Sequence, residues 1–122
     1  MSLEENGKGN ATFTAQKAST REAARYKKKL GTWIQVNRYK VPIIYVNHIT
    51  IDGRECVGAY DYANRVIYLD VTKDDVMATF YHELFHAEII EGGVRQHPRW
   101  CPELEEIIVE ILSRSISFTH HR

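Results

Sequence analysis

Cysteine is scarce in this chain. Two residues, Cys56 and Cys101, in 122 cannot build a disulfide framework. They read as reduced thiols of a cytoplasmic protein. Cys101 also lies close enough before the last helical segment to be weighed as a stray metal ligand, although a free cysteine is usually a small buried hydrophobe. Long apolar runs are missing too, which argues against a bilayer-spanning helix and a membrane partner. The first residues are polar and acidic, without the apolar core of a secretory leader. Net charge is lacking altogether: 16 Lys and Arg balance 16 Asp and Glu. The balance hides an asymmetry, because residues 1–40 carry +6 and residues 41–122 carry −6. A basic half can mark a nucleic-acid partner. Few aromatics interleave with these charges as stacking platforms, so nucleic acid ranks low as a partner and a solvated basic segment is the preferred reading.

What remains is 43 % hydrophobic and 26 % charged, the composition of one folded domain. Residues 1–20 are polar, with scattered Gly and Asn and no periodicity, and read as a disordered tail. The domain then spans residues 21–122. Thr20 can cap a helix from Arg21 to Leu30, ended by Gly31. Trp33, Ile34 and Val36 begin a β-prone stretch, and Tyr39–Val46 is rich in β-branched and aromatic residues, with Pro42 suited to a strand start or an edge. His48 falls after it and reads as a surface residue. Asp52-Gly53 signals a tight turn. Cys56–Tyr60 and Arg65–Leu69 read as a hairpin around Asp61-Tyr62-Ala63-Asn64.

The stretch around which the chain is organised is Tyr81-His82-Glu83-Leu84-Phe85-His86-Ala87. It contains H-E-x-x-H. Residues four apart share a helix face, so His82 and His86 can grip one metal ion while Glu83 acts as general base. The window from Asp74 to Glu91 has no Gly or Pro, and Val76, Met77, Phe80, Leu84, Ala87 and Ile90 recur at helical spacing. Thr72 can cap it and Gly92-Gly93 can end it. A catalytic zinc takes three protein ligands. After Pro102 a second helix pattern places Leu104, Ile107, Ile108, Ile111 and Ser115 on one stripe, and carries Glu105 and Glu106 early. Periodicity sets Glu105 nearer that stripe, as an inward-facing ligand would be.

H-E-x-x-H followed by a Glu on a second helix resembles the gluzincin group of zinc metallopeptidases. The second helix of that group often reads E-x-x-A-[DN] or E-x-x-V, and Glu106-Ile107-Ile108-Val109-Glu110 is similar. The resemblance extends to small phage and prophage proteins with a minimal zincin-like core, and to the ImmA/IrrE type, over about residues 41–117. It implies an α+β fold: an N-terminal helix, a small, mainly antiparallel sheet of about three strands, the H-E-x-x-H helix and the Glu helix. It also implies one Zn2+ held by His82, His86 and Glu106, with Glu105 the fallback. An arrangement using a later histidine would recruit His97. The metzincin pattern fails, since Ile89 and Gly92 stand where it needs Gly and His. Hydrolysis of peptide bonds is the expected activity, with Tyr60, Tyr62 or His97 as oxyanion stabiliser. Glu110, one turn beyond Glu106, can accept from an imidazole or can be a solvated surface residue. Arg65–Leu69, or its hairpin partner, is the strand expected to pair with an extended peptide or protein substrate. The rival readings are a zinc-containing module that binds or regulates without cleaving, and a nucleic-acid-associated protein.

Overall fold

A computed structural model describes residues 12–120. The fold is α+β, with three α-helices and one six-stranded sheet. Strand β1 (Phe13–Lys17) precedes helix α1 (Thr20–Leu30), then come β2 (Trp33–Val36), β3 (Tyr39–Ile51), β4 (Arg54–Cys56), β5 (Gly58–Asp61) and β6 (Val66–Asp70). Helix α2 (Val76–Glu91), a 3-10 turn (Val94–Gln96) and α3 (Pro102–His120) complete it.

The sheet is larger than the three strands expected. The reason is β3, 13 residues long, against which β1, β2, β4 and β6 all pair. Most pairings are antiparallel, while β3 and β6 run parallel and β5 closes a hairpin onto β6. The path β1-β3-β6-β5 leaves β5 at an edge. Strand β3 changes face midway. Val41, Ile43 and Tyr45 enter the main core, whereas Val46, Ile49 and Ile51 enter a second one. The switch occurs near His48, which has φ 57°, opposite a register shift between Thr14 and Gln16 of β1. Such a bulge re-aims every following side chain. His48 itself is exposed, as expected, but lies within β3 rather than after it, because pairing with β1 and β4 carries the strand on to Ile51. Asp52 and Gly53 both have positive φ, as the tight β3–β4 turn requires.

Three expectations need correction. Residues 13–17, assigned to the disordered tail, form β1; Phe13 packs on Tyr68 at 4.8 Å, and tertiary pairing supplies what the segment's composition does not. Ala18 is also buried in the main core and Thr20 opens α1, while residues 1–11 of that tail lie outside the described residues. Ser19, not Thr20, caps α1 in a reciprocal capping box with Glu22. Asp75, not Thr72, caps α2, because the Thr72 hydroxyl and amide are both taken by Asp70.

Helix α2 lies on the sheet through Val76, Phe80 and Ala87. Its approach depends on Gly58 of β5, where a Cβ would stand 2.5 Å from Thr79 Cγ2 and 3.3 Å from Glu83 Cγ. Helix α3 then packs on α2, burying Glu105, Val109 and Ser113 at intervals of four. The stripe expected to face inward faces outward instead: Leu104, Ile107, Ile108, Ile111 and Ser115 are all exposed, and so is Leu112.

Candidate metal centre

Helix α2 brings His82 and His86 to one face, with ring centroids 4.9 Å apart. Across the α2–α3 contact stands Glu106. One ligand atom from each of His82, His86 and Glu106 lies within 4.8 Å of the others. Two bonds of about 2.0–2.1 Å to a shared zinc hold their ligand atoms no more than about 4 Å apart, so the cluster needs only a small closure to fit one ion. Glu106 is half exposed and can supply that movement.

The orientation of each ring is set from behind. His86 Nδ1 is 2.5 Å from Glu105 Oε2, and His82 Nδ1 is 2.8 Å from Glu110 Oε1. Glu105 accepts from His86, so Nδ1 of that neutral ring carries the proton and Nε2 keeps its lone pair, while the Glu110 carboxylate favours the same tautomer of His82 by proximity. Both Nε2 atoms face Glu106, at 2.5 Å for His86 and 3.7 Å for His82. The His86 Nε2 approach lacks hydrogen-bond alignment, and that atom is buried without another partner. A lone pair against a carboxylate calls for a positive charge between them, a proton or a metal ion. Burial, then the neighbouring His86, pushes the His82 pKa down, while Glu106 and Glu110 pull it up by less. The net effect favours the neutral, metal-binding form.

Glu105 therefore stands outside the cluster, behind His86. It is buried and accepts from Arg95 Nε at 2.8 Å, Arg95 Nη2 at 2.7 Å and Trp100 Nε1 at 2.8 Å, besides His86. Burial raises its pKa, but the bonds from Arg95, His86 and Trp100 outweigh this and hold it down at about 2. The carboxyl thus stays ionised, and the Nδ1 proton stays on His86. Such carboxylate-backed imidazoles are characteristic of metal-binding histidines.

Glu83 is fully buried on α2, between β5 and the cluster. A cavity of about 380 Å³ opens beside it, lined by Val57, Thr79, His82, Glu106, Glu110 and Arg114 among others. A larger cavity, about 510 Å³, lies beneath α1 among Phe13, Ala23, Tyr45 and their neighbours, away from the cluster. Size alone does not choose the site.

The expected oxyanion donors lie elsewhere. The Tyr60 hydroxyl is buried and donates to Glu91 Oε2 at 2.7 Å, in a clasp with Arg65 at the end of α2. Tyr62 packs against the main core from the hairpin connection. His97 is exposed, and its Nδ1 accepts from the Arg99 amide at 3.1 Å. It joins neither the ligand cluster nor the cavity wall. In each case the backbone path of β5 and of the loop before α3 points the group away. Cys101 is exposed and outside the cluster.

Sequence reasoning missed Arg95, Trp100 and Arg114. Arg114 follows Glu106 and Glu110 at intervals of four and was accessible from helical periodicity. Nothing in one sequence ties a loop arginine or tryptophan to Glu105.

No protein-family model, curated protein or solved structure matches the chain. Among the described residues no helix is long and apolar enough to cross a membrane.

Proposed function

We propose that the chain is a zinc-dependent peptidase with a minimal, zincin-like core of the gluzincin kind. One observation carries the reading: separate carboxylates, Glu105 and Glu110, hold the two Nδ1 atoms, so both Nε2 atoms converge on Glu106. Two histidines and one carboxylate form a ligand set that leaves zinc an open position. The same donors also suit ferrous iron, so the metal is to be read directly. When bound, zinc supplies a Lewis acid that polarises a peptide carbonyl and acidifies water.

The chain's own residues do the rest. Glu83 lines the cavity and takes a proton from the attacking water as the C–O bond forms. It returns the proton to the amide nitrogen as the C–N bond breaks. Val57, Ala78 and Thr79 form the wall of the cavity opposite the carboxylates of α3. An extended peptide or protein substrate would reach the cavity past exposed Val57, which precedes β5, since the four residues of β5 are themselves buried. Neither strand of the hairpin offers the free edge expected: β6 is paired on both sides and β5 is buried.

The test is a comparison of wild type and Glu83→Gln for metal content and for cleavage of a peptide library. The expected result is about one zinc per chain in both, with turnover falling by ~10²–10⁴-fold in the variant. Full zinc with no cleavage by the wild type would favour a metal-holding module that binds or regulates without cutting. A folded wild type that takes up no metal would remove the proposal.

A further inference from the structure

The exposed face of α3 is the feature left without a role. Val94, Leu104, Ile107, Ile108, Ile111 and Leu112 are each more than two-fifths exposed and lie on adjoining turns. Monomeric proteins rarely leave so many large apolar residues contiguous unless the patch is used. We infer that this face is a self-association surface, on which two copies pack α3 antiparallel about a two-fold axis near Ile108.

Two features of the face are self-complementary. The first is shape. A groove of about 240 Å³ lies beside the N-terminal half of α3, lined by Ile89, Val94, Trp100, Leu104 and Ile108. The C-terminal half carries an apolar ridge at Ile111 and Leu112. Antiparallel packing about Ile108 brings Leu112 of the partner subunit over Leu104 and the groove, and the reverse contact forms by symmetry. The second is charge. Glu103 and Arg114 are eleven positions apart, close to three turns, so they flank the stripe on the same side. Both are exposed. Their midpoint falls between Ile108 and Val109, so the same axis sets Glu103 of each copy against Arg114 of the partner subunit. Arg114 also borders the metal cavity and its Nε donates to the Glu110 carbonyl at 3.3 Å, so the pairing uses the remaining guanidinium donors.

The area sets the strength. Helix α3 has 19 residues and is therefore about 28 Å long and about 10 Å wide. Its one face covers less than the roughly 800 Å² per partner of a stable interface, which points to a reversible dimer in the micromolar range.

Sedimentation of the full chain from about 1 to about 300 µM tests this. The expected result is a weight-average mass rising from 14.2 kDa towards twice that value. An Ile107→Glu/Ile111→Glu variant should stay monomeric with an unchanged circular dichroism spectrum. Arg114→Glu should weaken association about tenfold, and Glu103→Arg/Arg114→Glu should restore it. Should the double apolar variant fail to fold, Ile108→Cys in a Cys101→Ser background replaces it, and mild oxidation should link two copies through the introduced thiol. A wild type that remains monomeric throughout, a dimer that survives Ile107→Glu/Ile111→Glu, or an Ile108→Cys variant that does not cross-link would overturn the proposal. Failure of the charge swap to restore association would overturn the antiparallel pairing.

Discussion

Glu105 and Glu106 are adjacent and chemically identical but differently placed, Glu105 buried behind His86 and Glu106 half exposed before both imidazoles. Replacing each with glutamine should separate folding from metal binding. The Glu105 side chain is 2 % exposed and the Glu106 side chain 51 %. Glu105→Gln removes the charge that faces Arg95 and sets an amide N–H₂ among three donors. Its pKa, held from 4.5 down to about 2, corresponds to about 3 kcal/mol at ~1.36 kcal/mol per unit. Removing one partner of a buried ion pair independently suggests roughly 3–5 kcal/mol. At roughly 4 °C per kcal/mol for a domain of this size, the metal-free protein should melt about 10–15 °C lower. Zinc affinity should fall about 10–100-fold, the usual cost of losing a group that orients a ligand. Glu106→Gln should do the reverse. It changes a half-exposed side chain, so the metal-free melting temperature should move by no more than about 2 °C. With Glu106 as the proposed third ligand, its loss should lower zinc affinity well beyond the Glu105→Gln effect. Thermal circular dichroism in chelator and zinc competition against a chromophoric chelator measure the two quantities. The reasoning fails if Glu106→Gln destabilises the metal-free protein as much as Glu105→Gln, or if Glu105→Gln abolishes zinc binding while Glu106→Gln keeps it.

Three further outcomes are expected. Gly58→Ala should cost about 1–3 kcal/mol and reduce turnover, because its Cβ meets Thr79 Cγ2 at 2.5 Å on the helix that carries Glu83; Thr79→Ser, which lacks Cγ2, should recover part of the melting temperature, and a neutral Gly58→Ala would refute the close approach. Acid unfolding should follow Glu105: its folded pKa of about 2 lies below the ordinary 4.5, so its stabilisation is complete above about pH 4.5 and is lost as the pH falls towards 2; chelator-treated Glu105→Gln should show a shallower stability–pH profile in that window. Tyr60→Phe should cost about 1.5–3 kcal/mol by removing the bond to Glu91, yet leave kcat/KM within about twofold, and a hundredfold loss would return Tyr60 to the reacting centre.

Much of this was legible from local pattern. The His82, Glu83 and His86 arrangement depends only on 3.6 residues per turn, and α2 delivers it. The β5–β6 hairpin and the Asp52-Gly53 turn came from short-range signals that the backbone obeys. Strand β1 was not legible, because Phe13–Lys17 owes its conformation to β3, some thirty residues away. The face of α3 was misread for an instructive reason. Periodicity marks Leu104, Ile107, Ile108 and Ile111 as the buried stripe, but the polar groups of the site choose the rotation. Glu105 must reach His86, Arg95 and Trp100, and Glu106 must reach both imidazoles, so the apolar side turns outward.

The sequence by itself determined the α+β class, the helix bearing His82, Glu83 and His86, and a short list for the third ligand, because each depends on residues close together in the chain. Only the tertiary structure set Glu106 rather than Glu105 beside both Nε2 atoms, placed Glu110 against His82, bonded Tyr60 to Glu91 and exposed the α3 stripe. Those outcomes depend on how α3 rotates against α2, and that rotation is the joint minimum of ionic contacts between segments that no local pattern connects.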